Sequence, residues 1–239
     1  MKATVVQFPG SNCDHDCFHV LQHVLGIDTQ FIWHKETSLP ATDLVVLPGG
    51  FSYGDYLRSG AIARFSPIMS AVADFASKGG FVFGICNGFQ ILTESGLLPG
   101  ALMKNRSLRF VCQDVTLRVA SPHGALNSRL STGEDLVIPV AHGDGCYFAD
   151  DELLNRLESE EQILFRYVEE NGSVADVASI NGSIGAIAGV MNAERNVFGM
   201  MPHPERCSES LIGGPAHGHE NTDGIRLFQG LIDAVGGRA

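Results

Sequence analysis

Residues 81–90 read Phe81-Val82-Phe83-Gly84-Ile85-Cys86-Asn87-Gly88-Phe89-Gln90. An apolar, β-favouring run stops at Gly-x-Cys-x-Gly, and a helix-like segment follows. This is the pattern of a nucleophile elbow with cysteine in the place of serine. On so tight a strand-to-helix turn the nucleophile sits in a strained backbone, and side chains two residues before and after it would collide. Gly84 and Gly88 have none. The N–H groups that open the following helix point at the sulfur and favour its thiolate form. Taken alone, the string also fits a buried core cysteine beside two turn glycines.

Working outward, a second apolar run over 197–201 ends in Pro202-His203-Pro204-Glu205. Pro204 biases His203 towards an extended conformation, and residues two apart in an extended segment face the same side. Glu205 can then bond one imidazole nitrogen of His203 and leave the other for a thiol. Cys86, His203 and Glu205 together fit the logic of nucleophile, base and orienting group. His142 competes formally for the role of base but lacks the His-x-Glu arrangement. A third run over 43–47 leads into Pro48-Gly49-Gly50-Phe51. Backbone N–H groups at such a turn can hold an oxyanion, expected at the Gly50 amide (or that of Gly49 or Phe51) together with the amide of Asn87. Gln90, one helical turn past the nucleophile, is a candidate to face the substrate, as are Gly49 and Phe51. Asp55 and Arg58 could bind substrate, bond within their loop or meet a partner.

Strands are expected over 4–8, 29–33, 44–47, 81–85, 184–190 and 197–201, and helices over 14–25, 62–77, 87–94 and 223–235. The segments 111–119 and 162–168 alternate more like antiparallel strands. The fold class implied is α/β: an open, mostly parallel sheet covered by helices on both faces, with a partly antiparallel extension. Such sheets place their sites at the carboxyl ends of the strands. Cys86, Gly50 and His203 each follow an apolar run and can meet at one edge. The 239 residues show no linker, repeat or low-complexity stretch, so one domain over 1–239 is expected.

Pro-Gly-Gly, Gly-Ile-Cys-Asn-Gly and Pro-His-Pro-Glu, in this order and at these separations, resemble the triad-type (class I) glutamine amidotransferases, a flavodoxin-like fold family. Finer details resemble the glutaminase subunits of purine biosynthesis. These are Phe8-Pro9-Gly10-Ser11-Asn12-Cys13-Asp14, Phe51-Ser52-Tyr53-Gly54-Asp55-Tyr56-Leu57-Arg58, Asn105-Arg106-Ser107 and Ala141-His142-Gly143, with Asn87 where other members usually carry Leu. The match covers essentially the whole chain. Asp144 is a departure, since the family usually has Glu there.

The resemblance implies hydrolysis of L-glutamine through a cysteine thioester. Ammonia would pass to an ATP-dependent synthetase subunit (PurL), assembled with a small subunit (PurS), that makes formylglycinamidine ribonucleotide. No cofactor is expected in this chain, with ATP and magnesium on the synthetase partner; the chain has no Walker-type Gly-x-x-x-x-Gly-Lys. Three rivals stand beside this reading: a glutaminase serving another synthetase; a redox or chaperone protein of the ThiJ/PfpI kind, in which a histidine typically follows the cysteine directly; and a catalytically silent binding subunit, in which a triad member would be missing.

A net charge of −11 argues against a nucleic-acid binder. No run approaches a membrane span and residues 1–8 are too short an apolar stretch for a signal peptide, so a cytoplasmic chain is expected. The six cysteines form no dense framework, which fits a reducing compartment. His15, His19 and His23, with Cys13 and Cys17, have a spacing that a helix could turn into metal ligands, and His217 and His219 lie in a Gly/Pro-rich loop. No functional metal is expected, because helical histidines more often cap or pack, though the His217/His219 loop could attract adventitious metal. Cys13, Cys112, Cys146 and Cys207 are read as packing or bystander thiols.

Overall fold

The apolar runs of the sequence form the middle of a nine-stranded sheet. The computed structural model describes residues 1–169, 172–174, 180–216 and 219–237. In chain order the strands are β1 Lys2–Gln7, β2 Asp28–Trp33, β3 Leu44–Leu47, β4 Phe81–Ile85, β5 Ala101–Met103 and β6 Val111–Val119. They continue as β7 Asp135–His142, β8 Cys146–Phe148, β9 Ile163–Val168, β10 Ile187–Met191 and β11 Val197–Met200. The helices are α1 Asp14–His19, α2 Ile68–Ser77, α3 Asn87–Glu94, α4 Asp151–Ser159 and α5 Asp223–Gly236.

The order across the sheet is β2-β1-β3-β4-β11-β10-β9-β6-β7, and β5 with β8 makes a separate antiparallel pair. From β2 to β11 every pairing is parallel; from β11 to β7 every pairing is antiparallel. Strands β10 and β6 therefore run against the other seven. Every residue of β3 and β4 is buried, as expected for strands covered on both faces. The covering is seen at β4. A side chain at Gly84 would meet Leu92 of α3, whereas Phe83 packs from the opposite face on Phe228 of α5, with ring centroids 5.9 Å apart.

Several elements differ from the sequence expectation. The helix over 14–25 is α only to His19 and continues as a wider π turn over Val20–Val24. The helix over 62–77 is broken. Ser66 is extended, as a residue before proline tends to be, and Pro67 opens α2. The strand over 184–190 begins as a 3-10 turn, Ile184–Ala186, before β10. No element was expected over β7 or α4. Pro139 interrupts the apolar run of β7 and argues against an interior strand; the structure puts β7 at the sheet edge, where a missing N–H is tolerated. Among the described residues, no helix is long and apolar enough to cross a membrane.

One registry positions the site. β4 and β11 are parallel neighbours with Ile85 beside Met200, and the Cys86 amide donates to the Met200 carbonyl at 2.8 Å. Chain positions 86 and 203 thus leave the sheet side by side at its carboxyl edge.

Candidate active site

Cys86 sits on the turn from β4 into α3 with φ +50° and ψ −104°, a backbone that costs a non-glycine residue about 1–3 kcal/mol. The glycines around it let α3 close on the sheet. A Cβ on Gly88 would lie 1.9 Å from the Leu47 carbonyl oxygen of β3, and one on Gly84 would lie 2.5 Å from Leu92. The collisions avoided are therefore with the helix and the neighbouring strand.

His203 follows β11 and is fixed by its amide, which donates to the Pro139 carbonyl of β7 at 2.8 Å. Its Nδ1 lies 2.6 Å from Glu205 Oε1, and both side chains are buried. Burial by itself pushes the imidazolium down. The Glu205 carboxylate, with Cys86 and Cys13 near the ring, more than reverses this and holds His203 well above the ordinary histidine range. Nδ1–H donation to the carboxylate leaves Nε2 for chemistry. Nε2 is buried with no hydrogen-bond partner among the described residues, and Cys86 is one of the groups that favour the protonated ring.

The turn after β3 and the start of α3 carry the candidate oxyanion donors. The Phe51 amide is already given to the Gly10 carbonyl at 2.9 Å, which removes it from the expected set. Among the described residues, the Gly50 and Asn87 amides have no hydrogen-bond acceptor. Gly49 must lack a side chain for His203 to fit, because its Cβ would be 2.7 Å from His203 Cε1. The side chain of Asn87 ties the turn to the elbow. Its Oδ1 accepts the Ser52 amide at 3.0 Å, and its Nδ2 donates to Gln90 Oε1 at 2.8 Å and Asp55 Oδ1 at 3.2 Å.

Beside Cys86 lies a cavity of about 270 Å³ walled by Gly50, Phe51, Asp55, Gln90, Lys104 and Asp144, among others. Gln90 lines it but spends both ends of its carboxamide on the walls, accepting from Asn87 and donating to the Asp144 carbonyl at 2.6 Å. Burial raises the Asp55 carboxyl to about 6; Ser59 and Asn87 bond to it and oppose the rise, and Asp144 adds to it. Arg58 turns away to a bidentate pair with Glu94 at 2.6 and 2.7 Å.

His142 lies in the cavity wall. Its Nδ1 is 3.1 Å from Asn105 Oδ1, and the amide group of Asn105 is oriented by donation to the Arg109 and His142 carbonyls. Burial pushes His142 down to about 4, with the charge of His203 assisting, so it is a neutral imidazole at pH 7. Among the described residues, Asn105 orients it and no carboxylate does.

Among the described residues the helical histidines and cysteines do not gather into a group of metal ligands. His19 and His23 are neighbours, with ring centroids 5.5 Å apart, but His19 pairs with Glu209 at 2.7 Å, His15 lies on Phe31 with centroids 5.1 Å apart, and Cys17 is in the core. The side chains of His217 and His219 lie outside the described residues.

Cys13 is buried, as a packing thiol would be, but it is no bystander: its sulfur, a ring nitrogen of His203 and a carboxylate oxygen of Glu205 all lie within 4.8 Å of one another. No local pattern announces this. Its position just past β1, at the carboxyl edge of the parallel strands, is the signal that could have found it.

Residues 1–233 match the family model described as a CobB/CobQ-like glutamine amidotransferase domain. The chain is 54% identical over 231 residues to the phosphoribosylformylglycinamidine synthase subunit PurQ of Salinibacter ruber, covering 97% of this chain and 95% of that one. It is 52% identical over 233 residues to the subunit of the same name from Moorella thermoacetica, covering 98% and 96%. The fold superposes on a chain in the structure of PurLQS from Thermotoga maritima with a TM-score of 0.84, at 41% identity over 98% of both chains.

Proposed function

The chain belongs to the glutamine amidotransferase family, and from that membership we propose that it is the glutaminase subunit of phosphoribosylformylglycinamidine synthase, working with a synthetase subunit PurL and a small subunit PurS. The observation that carries the chemistry is the buried His203–Glu205 pair, brought beside the strained Cys86 by the register of β4 and β11.

Cys86 Sγ attacks the side-chain carbonyl carbon of glutamine. The oxygen becomes an oxyanion between the Gly50 and Asn87 amides. His203, held protonated by Glu205, gives its Nε2 proton to the departing nitrogen, and ammonia leaves with a thioester on Cys86. The now neutral His203 takes a proton from water, which opens the thioester to glutamate and restores the cysteine. In the cavity, Lys104 matches the α-carboxylate of glutamine, and Asp55 with Asp144 matches the α-ammonium. Histidine reaches this cysteine from residue 203, while Asn87 occupies the place that histidine takes in the ThiJ/PfpI arrangement.

ATP and magnesium belong to the synthetase partner on this reading, and the complex is cytoplasmic. The test is ADP release by the synthetase with formylglycinamide ribonucleotide and ATP, with this chain present or omitted. Glutamine should support turnover only with the chain present. Cys86→Ala should abolish that turnover while ammonium still supports synthesis. Glutamine hydrolysed without supporting this synthetase would overturn the partner, and glutamine untouched in an assembled complex would overturn the glutaminase.

A further inference from the structure

Cys13 holds two parts of the site at once. Its backbone amide donates to the Gly49 carbonyl at 3.3 Å, which helps fix the turn that carries the Gly50 amide. Its sulfur accepts from Arg206 Nη2 at 3.0 Å and stands against the Nδ1–Cε1 edge of His203; a Cβ added to Gly49 would lie 3.2 Å from that sulfur and 2.7 Å from Cε1. The loop around it is clamped to the same turn. The Phe51 amide donates to the Gly10 carbonyl, and the Tyr53 amide donates to the Pro9 carbonyl at 2.6 Å. Cys13, His203 and Glu205 have the spacing of a metal cluster, but Arg206 already brings positive charge against the sulfur. The cluster organises charge around the imidazole instead.

We propose that Cys13 and Arg206 are positioning residues for His203: the guanidinium-bound sulfur backs the imidazole edge and locks the base in register with the oxyanion turn. The proposal rests on the glutaminase reading. The charged and titratable groups around His203 are Glu205 and Arg206 from its own segment, Cys86 at the start of α3, Cys13 and Asp16 from the loop and helix after β1, and His142 from β7. Cys13 and Cys86 both favour the protonated ring, as Glu205 does. Removing the Cys13 sulfur therefore lowers the pH at which His203 loses its proton.

The experiment measures glutamine-dependent kcat and KM across about pH 6 to 10 in the reconstituted complex, with ammonium-dependent synthesis as the control for assembly. Cys13→Ala should lower kcat about 10-fold to 100-fold with little change in KM, and move the alkaline limb to lower pH. Cys13→Ser, which keeps an acceptor for Arg206, should recover most of both. Arg206→Gln should lower kcat similarly and add little to Cys13→Ala, because the two act as a unit. An unchanged pH profile in Cys13→Ala, or a loss of thermal stability alone, overturns the proposal. A serine variant as impaired as the alanine one does the same. A wild-type complex that cannot use glutamine sinks the glutaminase reading itself, a separate outcome from any difference among the variants.

Discussion

The side-chain oxygen of Asn87 accepts the backbone amide of Ser52 at 3.0 Å, so the residue after Cys86 anchors the turn that carries Gly50. Each half of the proposed oxyanion hole is thereby held by the other. Replacing Asn87 by Leu, the residue common in other members, would keep its own amide but release the turn. We expect kcat/KM for glutamine to fall about 10-fold to 100-fold. Stability should fall by about 1–3 kcal/mol, because the buried Ser52 amide loses its acceptor. Steady-state glutaminase assays and urea melts of the same variant check both.

Gly88→Ala tests how closely α3 approaches the sheet. The new Cβ would stand 1.9 Å from the Leu47 carbonyl oxygen, a backbone atom that cannot rotate away. A loss of about 3 kcal/mol in urea unfolding is expected. Gly236→Ala is the comparison: nothing lies within 4 Å of its Cβ, and it should be neutral or slightly stabilising. Equal effects at the two positions would contradict the packing described.

Glu205→Gln keeps a hydrogen-bond acceptor for His203 Nδ1 and removes the charge. Since that charge raises His203 above its unfolded value, its stabilisation is present below about pH 6.5 and is lost as pH rises through the folded value. The variant should therefore lack the alkaline decline in stability that the wild type shows. Its glutamine turnover should fall on the order of 100-fold or more, with the alkaline limb moved to lower pH. Thermal melts across the alkaline range, together with kcat/KM profiles, read the two effects separately.

Asp55 has the same sign from a different cause, burial of its own charge. Its folded value of about 6 lies above the unfolded value of about 3.9, so the folded chain binds the proton more tightly, and stability declines as pH rises through that window. Asp55→Asn should raise the melting temperature at pH 8, by on the order of 1 kcal/mol in stability, and make little difference near pH 4. A variant that melts with the wild type at both values would remove the burial of the Asp55 charge from this account.

The site was legible where the chemistry is written in short strings. Gly84 to Gly88 and Pro202 to Glu205 state their own backbone requirements, and an alternating α/β pattern brings their strand ends to one edge. What stayed hidden depends on neighbours far away in the chain. β7 carries Pro139, and only its place at the sheet edge makes that proline acceptable. Cys13 lies 193 residues before Arg206, the group that donates to its sulfur, so no spacing rule could join them. Gln90 is expected to face the substrate; it lines the cavity, but its two bonds are set by Asn87 and by the distant Asp144 carbonyl.

The place of β11 between β4 and β10 has a consequence for the birth of the molecule. The nucleophile is made early in translation, whereas the base arrives on a strand near the end that must insert into the centre of the sheet. A nascent chain holding Cys86 but not yet residues 197–205 has a thiol with no partner and a sheet with a gap. On the proposed mechanism, glutamine hydrolysis therefore cannot begin before β11 and the residues that follow it have joined the sheet.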